Sequence, residues 1–267
     1  MEKYNNYLYE LICFEYEEYE RCEVAAEMGN LDVLIKLVEN GHHINKLTCA
    51  SAAKGGYINI LDWLRDPNAR SDGSICEWDE YTCICAARNG RFLTLKWLRD
   101  PNVRSDGSIC KWNCYTCAAA AEFGSIEIIE WLRDPNARSD GSICSCDENT
   151  CASAAENNKF KLLQLLRDSD TSINKCGIFS WDEKTCEGAA KNNNLEMMKW
   201  LRDPTARSDG SICEWNERTC LYAAAYGSIE LMEWLHKNEC PWIIEECILF
   251  ANQFNNVKMV EWLEQFI

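Results

Sequence analysis

One phrase, repeated almost verbatim, constrains this chain more than any other feature. It reads W-L-R-D-P-N-A-R-S-D-G-S-I-C and starts at Trp63, Trp97 and Trp131, at a period of 34 residues, and again with small changes at Trp200. A fixed period of this length indicates stacked repeats, in which each copy buries its apolar face against its neighbours. A repeated surface offers no single asymmetric constellation of reactive groups, so the pattern argues against an enzyme.

A Thr-Cys or equivalent step fixes the register of the repeats. We call its cysteine the anchor cysteine, and the eight anchors are Cys22, Cys49, Cys83, Cys117, Cys151, Cys186, Cys220 and Cys247. Successive anchors are 27, 34, 34, 34, 35, 34 and 27 residues apart, so the interior repeats carry seven additional residues. The sequence therefore predicts eight repeats over residues 18–267, preceded by an acidic N-terminal capping helix over residues 1–17.

Each repeat contains the signals of two helices. Asp or Asn lies four residues before the anchor in repeats 2 to 7, as expected of a helix N-cap. Gly or Asn lies seven residues after the anchor in repeats 1 to 7, where a left-handed residue would end that helix. These positions are Asn45, Asp79, Asn113, Asp147, Asp182 and Asn216, then Gly29, Gly56, Gly90, Gly124, Asn158, Asn193 and Gly227.

The first helix of repeat 3 is accordingly predicted over residues 79–89. An apolar second helix follows, and Arg-Asp-Pro ends it because proline cannot continue a helix. A loop of about a dozen residues then leads to the next repeat. The resulting expectation is an all-α solenoid of about eight helical hairpins with long inter-repeat loops.

The net charge of −16 restricts the partners that we expect. Nucleic acid and anionic membrane surfaces repel an acidic protein, so the sequence favours a basic or neutral protein partner. The first residues lack an apolar signal core, and no apolar run is long enough to span a membrane. We therefore expect an intracellular, cytoplasmic location, and a monomer.

The cysteines admit three interpretations. A second cysteine precedes the anchor by seven residues in five repeats: Cys76, Cys110, Cys144, Cys213 and Cys240. A zinc site needs four clustered ligands, which one repeat does not supply. A disulfide within a repeat, such as Cys76–Cys83, requires an oxidising compartment. We favour buried thiols that act as small apolar residues. No cofactor, metal or catalytic residue is expected.

The loop arginines predict lateral ion pairs. Arg65, Arg99, Arg133, Arg167 and Arg202 recur, as do Arg70, Arg104, Arg138 and Arg207. Stacking would bring like charges into rows, so each Arg needs an acidic group, and we expect Arg–Asp ladders with Asp72, Asp106, Asp140 and Asp209. Repeat 5 ends differently, with Ser169-Asp170-Thr171 in place of the proline phrase, Cys176 shifted and Phe179 where the loop cysteine should be, and we expect a local bulge there.

The signature A-A-x-x-G before an apolar helix resembles the ankyrin repeat. The helix start Trp78-Asp79-Glu80-Tyr81-Thr82-Cys83 and the short form Cys240-Pro241-Trp242 are similar to a divergent variety found in giant viruses and protists. The resemblance covers residues 18–267, lacks T-P-L-H and carries the longer loops. It implies an ankyrin-like solenoid that acts as a protein–protein interaction module, in the host cytoplasm if the chain is viral.

In ankyrin-like stacks the first helices line the binding face, so positions there that differ between repeats are candidate contacts. These candidates are Leu47, Tyr81, Tyr115, Asn149, Lys184, Arg218 and Tyr222. The tyrosines carry the most weight because amphipathic aromatics dominate interface energy. Two alternatives stay open: a self-assembling structural or virion-associated component, and an adaptor for a ubiquitin ligase.

Overall fold

The computed structural model describes residues 2–70, 73–103, 107–138, 141–168, 171, 177–207 and 209–267. Over these ranges every regular element is helical, with seventeen α-helices and short 3-10 turns such as Pro101–Val103. The all-α prediction is confirmed. The chain divides into two compact units, an N-terminal unit (Met1–Phe123) and a C-terminal unit (Gly124–Ile267).

The helices alternate as the repeats predict. A leading helix, α1, spans Glu2–Glu15. The first helices of repeats 1 to 8 are α2 (Arg21–Glu27), α4 (Lys46–Gly55), α6 (Glu80–Arg88), α8 (Cys114–Phe123), α10 (Glu148–Glu156), α12 (Glu183–Lys191), α14 (Glu217–Tyr226) and α16 (Ile244–Gln253). The second helices are α3 (Leu31–Glu39), α5 (Ile58–Arg65), α7 (Phe92–Arg99), α9 (Ile126–Arg133), α11 (Phe160–Arg167), α13 (Leu195–Arg202), α15 (Ile229–Lys237) and α17 (Val257–Leu263).

The six predicted N-caps are confirmed. Each Asp or Asn side chain accepts a hydrogen bond from the backbone amide two residues later, as Asp79 does from Tyr81 at 3.0 Å and Asn216 from Arg218 at 3.0 Å. The other four caps have the same geometry. Such a bond satisfies one of the amides that the start of a helix leaves without an intrahelical partner, and so fixes where the first helix begins.

The left-handed turn between the two helices is confirmed in six repeats and wrong in the seventh. Gly56 has φ +89° and Asn193 has φ +49°, whereas Gly227 has φ −84° and ψ 176°. The extended backbone at Gly227 lets the Ser228 amide donate to Asn193 Oδ1 at 2.8 Å. The Gly227 carbonyl also accepts from Asn256 Nδ2 at 3.1 Å, so bonds to neighbouring repeats replace the local turn.

First helices pack on first helices within each unit. In the N-terminal unit α2, α4, α6 and α8 pack in succession, and in the C-terminal unit α10, α12, α14 and α16 do so. Paired alanines such as Ala86 and Ala87 are fully buried at these contacts. The side chain of alanine is small enough to let neighbouring helices approach closely, and the leucines of the second helices complete the core.

Helix α1 packs against α2 and α3. Leu8 and Ile12 are buried beneath it, whereas Tyr4, which fits the same helical spacing, is 62% exposed. Asn5 donates to Asp32 at 2.8 Å and accepts from Asn30 at 3.0 Å. An outer surface of polar and aromatic side chains with a narrow buried stripe is consistent with a capping helix.

Second helices α5, α7, α9, α11 and α13 end in an arginine, and the following loop holds this side chain in four of them. The Arg202 guanidinium lies 3.9 Å from the centroid of the Trp215 ring and donates to the Cys213 carbonyl at 2.6 Å. Arg65, Arg99 and Arg167 stack in the same way on Trp78, Trp112 and Trp181. Each of these arginines therefore ties its repeat to the tryptophan of the next one.

The loop arginines close the second helices. Arg207 donates to the carbonyls of Trp200 at 2.8 Å and Asp203 at 3.1 Å, near the end of α13. Arg138 donates to Trp131 in the same way, and Arg70 to Leu64. These bonds occupy carbonyls that lack intrahelical donors at the C-terminus of a helix.

The expected Arg–Asp pairing in the loops is present at Arg167 and Asp209, whose side chains pair at 2.9 Å. Arg138 and Arg207 also reach backbone carbonyls and indole rings. Arg104, Asp72, Asp106 and Asp140 lie outside the described residues, as do Ser169, Asp170 and Cys176 of the expected bulge. Phe179, which replaces a loop cysteine, is buried.

Candidate binding surface on the first helices

Each unit has a groove along its first helices, and the two grooves are built from the same positions of the repeat. These lining positions lie two residues before and one, two and five residues after the anchor cysteine. On a helix this spacing is i, i+3, i+4 and i+7, which places all four side chains on one face. Within each unit, consecutive first helices contribute the same face, and together these faces form the groove.

Groove A belongs to the N-terminal unit and has a volume of about 220 Å³. Its lining residues are Glu23, Glu27, Leu47, Ala50, Ser51, Lys54, Tyr81 and Cys85. Leu47 and Tyr81 are 41% and 45% exposed, so both present apolar surface to a ligand. Lys54 pairs with Glu27 at 2.6 Å, and this hydrogen bond raises the pKa of Lys54.

Groove B belongs to the C-terminal unit and also has a volume of about 220 Å³. Its lining residues are Asn149, Ala152, Ser153, Glu156, Lys184, Glu187, Gly188, Lys191 and Tyr222. A Cβ on Gly188 would lie 2.6 Å from the Glu156 amide nitrogen, so glycine permits the close approach of α12 to α10. Lys191 pairs with Glu156 at 2.6 Å, which raises the pKa of Lys191.

Arg218 lies beside groove B. Its Nε is 3.3 Å from Glu187, and its guanidinium donates to the Tyr222 hydroxyl at 3.1 Å. The hydrogen bond to Tyr222, with the Glu187 charge, raises the pKa of Arg218. The Arg218 side chain is 57% exposed, whereas the Glu187 side chain is 11% exposed, so the arginine remains available to a ligand.

Aromatic side chains continue the surface beyond groove B. We call Tyr222, Tyr226, Phe250 and Phe254 the aromatic strip. The Tyr226 and Phe254 ring centroids lie 4.7 Å apart, and each residue is 41% exposed. Contiguous exposed aromatic surface on a folded protein is typical of an interaction site.

Ion pairs also link neighbouring repeats along the first helices. The position five residues after the anchor supplies Lys54–Glu27, Arg88–Glu122 at 2.9 Å and Lys191–Glu156. Lateral pairing between repeats was expected, but in the loops. Exposed pairs of this kind contribute about 0–1 kcal/mol each, so they orient the lining side chains more than they stabilise the fold.

The structure places five of the seven predicted contact residues in the two grooves. Leu47 and Tyr81 line groove A, and Asn149, Lys184 and Tyr222 line groove B. Arg218 contacts Tyr222, and Tyr115, on α8, is 56% exposed.

Sequence reasoning chose the positions two before and two after the anchor and missed those one and five after it. The missed lining residues are Glu23, Glu27, Ala50, Lys54, Ala152, Glu156, Glu187 and Lys191. The i, i+3, i+4, i+7 spacing would have identified them, because it defines one face of a helix.

Among the residues described here, no cluster of three or more His, Cys, Asp or Glu side chains could hold a metal ion. None of the described helices is both long and apolar enough to cross a bilayer. The 17 described cysteines form no disulfide with one another.

The comparisons with known proteins give a fold likeness only. No family model matches the sequence, and no curated protein matches it. Similar solved structures include the pentatricopeptide repeat protein PPR10 in complex with an 18-nucleotide psaJ RNA element, and a triple Cys-to-Ser variant of that complex. Both are 11% identical with a TM-score of 0.33, and each match covers 93% of this chain and 42% of the other. The succession of paired helices in the structure itself places the chain in the broad class of helical repeat proteins.

The exclusion of nucleic acid that we drew from net charge is wrong. The pentatricopeptide repeat protein named above holds RNA in both solved structures. Net charge averages over the whole chain, whereas a ligand meets the local potential of one surface. Lys184, Lys191 and Arg218 lie together at groove B in spite of the net charge of −16.

Proposed function

We propose that this protein is a non-catalytic binding module whose grooves A and B bind segments of another protein. One observation carries the proposal. The four lining positions differ between repeats, whereas the buried anchors and alanines agree, so the chain varies the surface that a ligand would touch and keeps the scaffold.

The chemistry of the grooves favours a peptide. Each groove has a tyrosine, exposed Tyr81 in groove A and half-buried Tyr222 in groove B, together with charges of both signs. Tyrosine supplies apolar contact area and a hydroxyl, and it is enriched among the residues that dominate protein interfaces. Paired Lys and Glu side chains can bind the amide groups and mixed side chains of a peptide, whereas an RNA strand would use the cations and aromatic rings alone.

The proposal also includes the type of repeat, the extent of the repeat array and the cellular location that the sequence suggests. The unit of helix, left-handed turn and helix supports the ankyrin-like type of repeat, with residues 1–17 as a cap and residues 18–267 as the repeat array. An intracellular, cytoplasmic location is proposed with it.

Site-specific photo-cross-linking tests the proposal. A benzophenone amino acid replaces Tyr81 or Tyr222 in the full chain, and exposed Glu196 on α13 serves as the control position. We expect ultraviolet light in extract from the native cells to yield a discrete protein adduct from both tyrosine positions and none from Glu196. The adduct should persist after RNase treatment, and the captured protein, once purified, should bind the unmodified chain.

Two outcomes would contradict the proposal. An adduct that RNase removes, or that carries labelled RNA, would assign the grooves to nucleic acid. Equal adducts from Tyr222 and Glu196 positions would show that the first-helix face has no special role.

A further inference from the structure

The paired cysteines have no part in the proposed binding surface, yet the structure gives them a specific arrangement. The loop cysteine of one repeat lies against the repeat before it. Cys76 is buried, and its thiol donates to the carbonyl of Asn45, the N-cap of the preceding repeat, at 2.9 Å. Cys49, the anchor of that preceding repeat, lies one helical turn after Asn45 and is fully buried.

The same arrangement recurs in the C-terminal unit. The Cys213 thiol donates to the Asp182 carbonyl at 3.1 Å, and Cys186 Sγ lies 3.8 Å from the Cys213 carbonyl oxygen. The Cys240 thiol likewise donates to the carbonyl of Asn216, the N-cap before anchor Cys220, at 3.8 Å. Each pair joins an anchor to the loop cysteine of the next repeat, 27 residues later for Cys186 and 20 for Cys220.

We propose that these inter-repeat thiol pairs, Cys49–Cys76, Cys186–Cys213 and Cys220–Cys240, are modification sites that a low-molecular-weight disulfide oxidises to disulfide bonds between consecutive repeats. The thiol–carbonyl contacts place each loop cysteine at the start of the helix that carries its anchor, so side-chain rotation during local opening brings the two sulfurs to bonding distance. The pairing follows the fold and differs from the C-x6-C pairing within a repeat that the sequence suggests.

The oxidation proceeds by two thiol–disulfide exchanges. One protein thiolate attacks a sulfur of the small disulfide, forms a mixed disulfide and releases one small thiolate. The partner thiolate then attacks the protein sulfur of the mixed disulfide and releases the second small thiolate. The two protons lost by the cysteines end on the two released thiolates, and two electrons pass from the protein to the reagent.

The Cys49–Cys76 pair shows which thiol attacks. The hydrogen bond from Cys49 holds the pKa of Cys76 below its usual value against the effect of burial, and the Arg70 and Arg65 charges add to this. The same hydrogen bond, with burial, raises the pKa of Cys49 well above its usual value. Cys76 is therefore the nucleophile, and because both thiols are buried the reagent reaches it during local opening of the repeats.

A bond between Cys186 and Cys213 would act on the binding surface. Cys186 lies on α12, whose side chains line groove B, and Cys213 lies in the loop that leads into α14. The disulfide would fix the spacing of these two helices. Oxidation would thereby fix the width of groove B.

Peptide mapping of the full chain tests the proposal directly. The protein is equilibrated in glutathione buffers of increasing oxidised fraction, alkylated and digested with trypsin. Cys186 and Cys213 are each the single cysteine of their tryptic peptides, 185–191 and 208–218. We expect these peptides to appear joined, with the mass of two hydrogen atoms lost, and peptide 47–54 to appear joined to 71–88.

Cys22 is an internal control. It is an anchor on tryptic peptide 22–36, and His42 occupies the position of its loop cysteine in the next repeat. In the glutathione buffer that joins peptide 185–191 to peptide 208–218, we expect Cys22 to remain a free thiol that the alkylating reagent modifies. We also expect the specific joining to be lost when oxidation is performed in concentrated urea.

Other results would overturn the proposal. Peptide 208–218 joined to 219–237 would show pairing within a repeat, Cys213 with Cys220. Peptides 185–191 and 208–218 that remain alkylated, or that carry glutathione only, at a poise that fully oxidises dithiothreitol would show that the pair is not a disulfide site. Equal yields in native buffer and in urea would show that the fold does not direct the pairing.

Discussion

At the scale of single residues, the arginine that ends α5, α7, α11 and α13 is a polar link to the next repeat. The guanidinium of Arg202 faces the Trp215 ring and bonds the Cys213 carbonyl. The sequence showed that this arginine recurs, but it suggested an aspartate partner because opposite charges are the simplest pairing. An indole ring and a loop carbonyl could not be foreseen, since both depend on how the loop folds back.

Replacing Arg202 tests this link. We expect Arg202→Met to lower the free energy of unfolding by about 1–3 kcal/mol, because it removes a charged hydrogen bond and a cation–π contact but keeps the aliphatic stem. Lys199→Met, on the exposed face of the same helix, should change stability by less than about 0.5 kcal/mol. Urea unfolding followed by circular dichroism measures both, and equal effects would contradict this role of Arg202.

At the scale of helices, the first helix was the most predictable element. Its N-cap and its left-handed end are each set by one local residue, so the bounds expected from Asp79 and Gly90 agree with α6 at Glu80–Arg88. Gly227 does not adopt the left-handed conformation, because hydrogen bonds between this turn and Asn193 and Asn256 of other repeats favour an extended backbone. Contacts between repeats cannot be predicted from the sequence of a single repeat.

The caps offer a test with a matched control. We expect Asn216→Ala to destabilise the protein by about 0.5–2 kcal/mol, because the Arg218 amide loses its acceptor. Asn216→Asp keeps an acceptor at the start of α14 and adds a charge that the helix dipole favours, so it should be neutral or stabilising. Thermal unfolding compares the variants, and a loss for Asp as large as that for Ala would disprove the capping role.

The candidate site was predictable only in part at this scale. Variation between repeats pointed to Tyr81 and Tyr222 because these positions change from copy to copy. Lys191 and Glu156 were missed, since their role depends on ion pairs between neighbouring repeats. The positions that were missed lie on the same helical face as the predicted ones, so the i, i+3, i+4, i+7 spacing would have identified them.

At the scale of the whole molecule, buried thiols make the free energy of unfolding depend on pH in the alkaline range. Burial raises the pKa of Cys22 in the N-terminal unit and of Cys247 in the C-terminal unit from 9.0 to about 12. A thiol with a raised pKa in the folded state favours folding while it is protonated. Its contribution is complete below the pKa of the unfolded chain and disappears as the pH rises through the folded value.

We therefore expect the free energy of unfolding to fall between pH 9 and about pH 12. Urea titrations at a series of pH values measure the slope. The double variant Cys22→Ala, Cys247→Ala should show a shallower fall, because it no longer has these two titrating groups. A slope unchanged by both substitutions would show that other groups cause the alkaline loss.

The central claim is that the first-helix face binds a protein segment, and affinity measured on paired variants tests it most directly. The partner captured by cross-linking is titrated by calorimetry into the wild type, Tyr222→Ala and the control Tyr7→Ala, whose exposed side chain lies on α1. The account predicts that Tyr222→Ala weakens binding by about tenfold or more, since a tyrosine hot spot contributes about 2 kcal/mol, while Tyr7→Ala leaves the affinity unchanged. Equal affinities for the wild type and Tyr222→Ala would contradict it.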